Sequence, residues 1–150
     1  MDISRLDLPG EVAVYITAID DPKDRHAVGR RLCETVTGLP PRHEPSGKPV
    51  VPGGPEVSIS HSSGLVVCAV GSVPLGVDIE RERMVSPRLT ARARRAGYGD
   101  GPFLQWWTAL EANCKRLGRG FTWSPLPQPD RLLQGTLEHG GVRYFYSVCW

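Results

Sequence analysis

Asp78 and Glu80 stand one residue apart in PLGVDIERER (74–83), a run that otherwise reads as a buried strand. Successive side chains on a strand point to opposite faces, so the two carboxylates share a face. Like charges held side by side repel, and burying them unpaired costs free energy. The pair requires a cation. Further along, Glu111 and Lys115 are four apart and share one face of a helix, with Trp107 one turn earlier. If that face lies over the strand, Glu111 joins Asp78 and Glu80 as a third carboxylate. Such a set, completed by water and phosphate oxygens, suits Mg²⁺, a hard ion that prefers oxygen. Lys115 would then meet a phosphate bound to the metal.

The elements that must position these groups are legible. EVAVYITAI (11–19) alternates and is β-branched, hence a strand; residues 1–10 read as a loose entry. Residues 20–38 read as a helix, with Asp20 or Asp21 to cap it, Pro22 at its start and Gly38 at its stop. Residues 39–56 are rich in Pro and Gly and read as loop. Residues 57–70 read as strand, turn at Ser62–Ser63–Gly64, strand. The order then restarts: a strand at 74–80, a basic connector at 86–101 that is helical at first, and a helix at 102–120. A hairpin at 130–150 follows, turning at Gly140–Gly141. Each half, about 11–72 and 73–150, thus runs strand, helix, two strands. The expected fold is α+β: one domain of two pseudo-symmetric halves, each a helix packed on a small antiparallel sheet, with a ligand groove between them.

The bulk numbers narrow the class. A chain of 150 residues suffices for one domain with a core. Its 40% apolar and 23% charged shares are those of a globular protein and argue against disorder. A net charge of +2 gives no ground for a nucleic-acid partner. The longest apolar runs, such as LVVCAV (65–70), are far short of a membrane span, and the N-terminus has no signal-peptide pattern. Cys33, Cys68, Cys114 and Cys149 form no CxxC, so they are expected to be reduced, buried thiols of a cytoplasmic protein rather than zinc ligands. No GxSxG, Walker loop or GxGxxG occurs. Ser60 and His61, adjacent on a strand, point to opposite faces and make a poor nucleophile–base pair.

In order along the chain, GKP (47–49), SISHS (58–62), GVDIE (76–80) and WTALEANCK (107–115) resemble the motifs of the surfactin-synthetase type of phosphopantetheinyl transferases. The resemblance covers about residues 25–120. It implies that Asp78, Glu80 and Glu111 hold Mg²⁺. It further implies that Lys48 lines a coenzyme A site, that Ser60 and His61 hold its nucleotide end, with His61 on the 3′-phosphate, and that Lys115 meets the pyrophosphate. The implied reaction moves the 4′-phosphopantetheine arm of coenzyme A to a serine of an acyl or peptidyl carrier protein and releases adenosine 3′,5′-bisphosphate. Glu111 and Lys115 would be the catalytic side chains.

Three departures stand beside the match. The chain is short, and of the basic residues ahead of the first helix only those of DPKDRHAVGRR remain; Lys23, Arg25, Arg30 and Arg31 are candidates for coenzyme A contact without a motif to choose among them. Residues 83–102 contain no glutamate, so the connector glutamate of the family has no counterpart. Leu110 replaces the first lysine of the last motif and is expected to face the core with Cys114 and Leu117. These departures keep open a second reading, a reduced relative that binds coenzyme A or a carrier protein without transfer, or a repurposed protein of natural-product biosynthesis. Arg81, Arg83, Arg88, Arg92, Arg94 and Arg95 give the connector a basic face on which an acidic carrier protein would dock.

Overall fold

The computed structural model describes residues 1–150. Two antiparallel sheets form around β-branched, alternating segments. The first contains β1 (Ile3–Leu8), β2 (Val12–Ala18), β5 (Glu56–Ser62) and β6 (Leu65–Gly71), in the order β1-β2-β6-β5. The second contains β7 (Gly76–Arg81), β8 (Leu132–His139) and β9 (Val142–Cys149), in the order β7-β9-β8. The orders β2-β6-β5 and β7-β9-β8 are alike: in each, the last strand of the set pairs with both others. Helix α1 (Arg25–Thr37) lies between β2 and β5 in the chain, and α2 (Pro87–Arg95) and α3 (Phe103–Arg116) lie between β7 and β8. No helix is long and apolar enough to cross a membrane.

Alternation decides which face each sheet buries. Val12, Val14, Leu65, Val67 and Ala69 of the first sheet share a core with Val77, Ile79, Tyr144 and Val148 of the second. The opposite face of the first sheet, through Val57, Val66 and Cys68, packs on Leu32 and Cys33 of α1. On the second sheet, the face opposite the shared core carries Asp78 and its cross-strand neighbour Ser147. The Ser147 hydroxyl lies 2.7 Å from that of Thr108 on α3. Helix α3 therefore covers the face that bears the acids.

Two expectations are corrected. Residues 3–8 are not a loose entry but an edge strand paired with β2 from Ile3–Thr17 to Leu8–Val12. Its Ser4, Arg5 and Asp7 gave it a polar cast, which is how an exposed edge is kept from pairing further. Within the proline-rich stretch, β3 (Arg42–His43) and β4 (Pro49–Val50) form a short ladder. It frames a turn at Ser46–Gly47, where Gly47 takes φ 86°, and this turn presents Lys48. The expected helix at 20–38 is a short 3₁₀ turn at Pro22–Asp24 followed by α1, stopped by Gly38 at φ 76°.

Candidate active site

Strand β7 is an edge strand of its sheet, so alternate N–H groups have no strand partner. Three serines of β5 supply the acceptors. Val77 N–H donates to Ser58 Oγ at 3.1 Å, Ile79 N–H to Ser60 Oγ at 3.2 Å, and Arg81 N–H to Ser62 Oγ at 2.8 Å. The period of two matches on both strands, and this ladder stitches the sheets together at the site. On its other side β7 lies directly under α3. A Cβ on Gly76 would fall 1.8 Å from the Ala112 carbonyl oxygen, so only glycine permits the approach.

That approach sets Asp78 beneath Lys115. Asp78 is 5% exposed. Its Oδ1 accepts from Lys115 Nζ at 3.0 Å and from Ser60 Oγ at 2.9 Å. Its Oδ2 is buried and has no hydrogen-bond partner. Lys115 Nζ also reaches the Ile59 carbonyl at 3.4 Å, bridging α3, β5 and β7. Glu80 and Glu111 are half-buried, and Arg83 Nε stands 3.9 Å from Glu80. Burial first, and the Asp78 charge second, push both glutamates above the ordinary carboxylate range, against the pull of Lys115. The three acids and Lys115 thus act on one another. No three carboxylate, histidine or cysteine side chains, however, stand at ligand spacing. The donors fit a hard divalent cation such as Mg²⁺ by type, all being carboxylate oxygens, and the unpartnered Asp78 Oδ2 is the atom that such an ion would satisfy.

The raised glutamates have a consequence for stability. Folding favours their protonated forms. At pH below the ordinary carboxylate pKa both folded and unfolded chains are protonated, and no penalty exists. The penalty develops as pH rises through the raised values. Glu111→Gln should therefore raise the melting temperature in EDTA by roughly 2–4 °C near pH 7 and by nothing near pH 4. Calorimetry at the two pH values checks it, and an equal shift at both would contradict the coupling.

A pocket of about 240 Å³ opens beside these acids. It is lined by the Ser46–Pro49 turn, Ile59, and Glu111, Lys115 and Arg119 at the end of α3. Lys48 enters with its stem over Gly118 and its ammonium 3.6 Å from Glu56. Lys48, Lys115 and Arg119 thus all line one small cavity beside Glu111, with the ammonium groups of Lys48 and Lys115 paired to Glu56 and Asp78 at its margin. His61 lies on the other face of β5, its ring edge-on to that of His26 at 5.1 Å. Burial, then the charges of His26, Arg25 and Lys115, hold its pKa below the ordinary histidine value.

A larger pocket of about 510 Å³ lies on the far side of α3, under residues 121–134. Its walls include Trp106, Leu110 and Trp123, with Asp100 its only charged residue, so it offers no cation to a phosphate.

Comparison with known proteins gives the chemistry a context. No protein-family model matches the chain. A 4′-phosphopantetheinyl transferase of Bacillus subtilis is 33% identical over 89 residues, 51% of this chain and 40% of that protein. The 4′-phosphopantetheinyl transferase Sfp of Bacillus subtilis strain 168 is 32% identical over the same shares. The 4′-phosphopantetheinyl transferase gsp of Aneurinibacillus migulanus is 29% identical over 85 residues, 49% of this chain and 36% of that protein. Over about half its length the chain is similar to curated 4′-phosphopantetheinyl transferases. The matches span about two-fifths of the length of these curated transferases.

Within the transferase motifs the structure separates the residues into groups. Lys115 bonds Asp78, and Glu80 and Glu111 feel the Asp78 charge without the three acids standing at ligand spacing; Lys48 of the GKP turn lines the small pocket together with Glu111 and Lys115. Ser60 is 4% exposed and its hydroxyl is engaged by Asp78 and Ile79. Leu110 does not join Cys114 in the core; it turns to the larger pocket, because its step round α3 carries it away from β7. Sequence reasoning overlooked His26 and Arg119. Arg119 sits in a helix-ending RLGRG and carried only a generic basic signal, whereas His26 meets His61 through the packing of α1 on β5, which no local pattern encodes.

Proposed function

We propose that this protein transfers the 4′-phosphopantetheine arm of coenzyme A to a serine of an acyl or peptidyl carrier protein. The single observation that carries the reading is the buried Asp78 carboxylate, one oxygen unpartnered, bonded to a Lys115 that lines a pocket shared with Lys48, Glu111 and Arg119. Three neighbouring carboxylates, two of them with raised pKa values and one with a buried unpartnered oxygen, cost a fold that has no use for them. The kinship with curated phosphopantetheinyl transferases supports the same chemistry. The common strand order of the two halves supports the reading of the chain as one domain built from a pseudo-repeat.

Asp78, with Glu80 and Glu111, would hold Mg²⁺, which when bound supplies charge neutralisation to the diphosphate. Lys115 and Lys48 bind and orient the phosphates, with Arg119 as a further cation of the pocket lining. His61 and His26 offer ring N–H donors, and Arg25 a charge, for the 3′-phosphate. The serine oxygen of the carrier forms a bond to the phosphorus that bears the pantetheine arm. The phosphoanhydride bond breaks, and adenosine 3′,5′-bisphosphate leaves with the electron pair. The serine proton passes to Glu111 or to water. Positioning and charge stabilisation supply most of the rate in such transfers.

The test is chromatographic: adenosine 3′,5′-bisphosphate should appear from coenzyme A only when protein, Mg²⁺ and an apo carrier protein are all present. Coenzyme A bound but never cleaved across a panel of apo carriers would favour the reduced relative.

Helix α2 is the proposed carrier surface. Its Ala93 is fully buried while Arg88, Arg92, Arg94 and Arg95 are exposed. Arg92 lies over the Trp123 ring at 5.3 Å and Arg94 over the Tyr98 ring at 5.1 Å, so the charges are held on a fixed aromatic base. Reversing Arg92, Arg94 and Arg95 to Glu should raise the carrier KM by about tenfold or more, with coenzyme A affinity unchanged. An unchanged carrier KM in steady-state kinetics would reject the docking role.

A further inference from the structure

We infer that Ser60 is a positioning residue for Asp78, not a contact for the nucleotide. The inference rests on the reading of Asp78 as a cation ligand. A hydroxyl has one proton to donate and two lone pairs to accept with. The Ser60 proton goes to Asp78 Oδ1 at 2.9 Å, and one lone pair takes the Ile79 N–H at 3.2 Å. A phosphate oxygen needs a donor, and Ser60, 4% exposed, has none left to give.

What Ser60 does instead follows from its two bonds. The Ile79 N–H adjoins Asp78 in the chain, so Ser60 holds the backbone and the carboxylate of one residue at once. Oδ1 is then occupied by Ser60 and Lys115, and Oδ2 is left as the free oxygen. Without the hydroxyl, the carboxylate is free to turn about its χ2 torsion and offer either oxygen to Lys115. A cation site would lose its preset ligand. The neighbouring rungs provide a built-in contrast. Ser62 accepts from the Arg81 N–H as Ser60 does from Ile79, but makes no bond to a carboxylate. A general loss of stitching between β5 and β7 would follow from either serine; loss of ligand orientation follows from Ser60 alone.

The experiment titrates the intact, metal-free protein with Mn²⁺ alone, reading free Mn²⁺ by electron paramagnetic resonance. Ser60→Ala, Ser60→Thr and Ser62→Ala are compared with the wild type. Outer hydrogen bonds to metal ligands are worth about 10–100-fold in metal affinity, so Ser60→Ala should weaken Mn²⁺ binding by about tenfold or more. Ser60→Thr, which keeps the hydroxyl, should restore most of it, and Ser62→Ala should leave it unchanged. Coenzyme A affinity, measured calorimetrically in EDTA, should not move with Ser60→Ala. Three results would overturn the assignment: wild-type protein that does not bind Mn²⁺, equal weakening by Ser60→Ala and Ser62→Ala, or coenzyme A affinity that falls while Mn²⁺ affinity holds. Wild-type protein that binds Mn²⁺ in the expected pattern yet moves no arm would leave the positioning role standing and reject the proposed transfer.

Discussion

Asp78→Asn should abolish transfer of the phosphopantetheine arm, by about a thousandfold, while the protein stays folded with an unchanged or higher melting temperature. The two halves of that expectation have one cause. Asp78 is the most buried acid of the site, and its free oxygen is the atom for which a cation is required. Asparagine keeps the shape and can still accept from Ser60. It removes the charge that a cation would balance and that now raises Glu80 and Glu111. Losing the Asp78 charge does not strand Lys115, whose side chain is 32% exposed and whose ammonium keeps the Ile59 carbonyl. A site that is stabilised by losing its central residue is kept for something other than stability. Activity within tenfold of wild type, or a melting temperature that collapses, would show that Asp78 serves the fold.

The second large effect lies one turn of the pleat away. Gly76→Ala should destabilise the protein by at least about 3 kcal/mol, lowering the melting temperature by about 10 °C. The added Cβ would meet backbone on α3, at 1.8 Å from the Ala112 oxygen and 2.7 Å from the Arg116 nitrogen. Backbone atoms cannot swing aside as a side-chain end does, so β7 and α3 must part. Glu111 and Lys115 are carried by the same stretch of helix, and any parting moves them from Asp78. Transfer should fall with stability, even at temperatures where the variant is folded. Gly99→Ala, with no atom within 4 Å of the added carbon, should change neither. Thermal denaturation of the two variants side by side makes the comparison, and a Gly76→Ala protein as stable as Gly99→Ala would contradict the packing.

The contrast between what the sequence disclosed and what it hid follows the range of the interactions. Alternation of Val and Ile marked β2, β5, β6 and β7, and Pro and Gly marked the ends of the helices, because both signals are local. The period of two already placed Asp78 and Glu80 on one face, and the i,i+4 spacing placed Lys115 beside Glu111. Strand β1 escaped, since an edge strand faced with Ser4, Arg5 and Asp7 buries too little to alternate clearly. The partner of Asp78 escaped as well. Ser60 was legible as part of a motif, but its bond crosses from one sheet to the other. Only the fit of β5 against the free edge of β7 shows that its proton is already given. The expected gathering of three acids is likewise not realised at ligand spacing. Lys115 supplies the positive charge at Asp78, as electrostatics requires wherever a buried carboxylate has no other cation.

The central claim is that a pantetheine arm leaves coenzyme A for a carrier serine at this site. Intact-mass spectrometry of a panel of apo carrier proteins, incubated with coenzyme A, Mg²⁺ and this protein, reads that event directly. At least one carrier should gain the mass of one phosphopantetheine, a gain absent with Asp78→Asn and with Glu111→Ala. No gain on any carrier, from folded protein that binds coenzyme A, would contradict that claim.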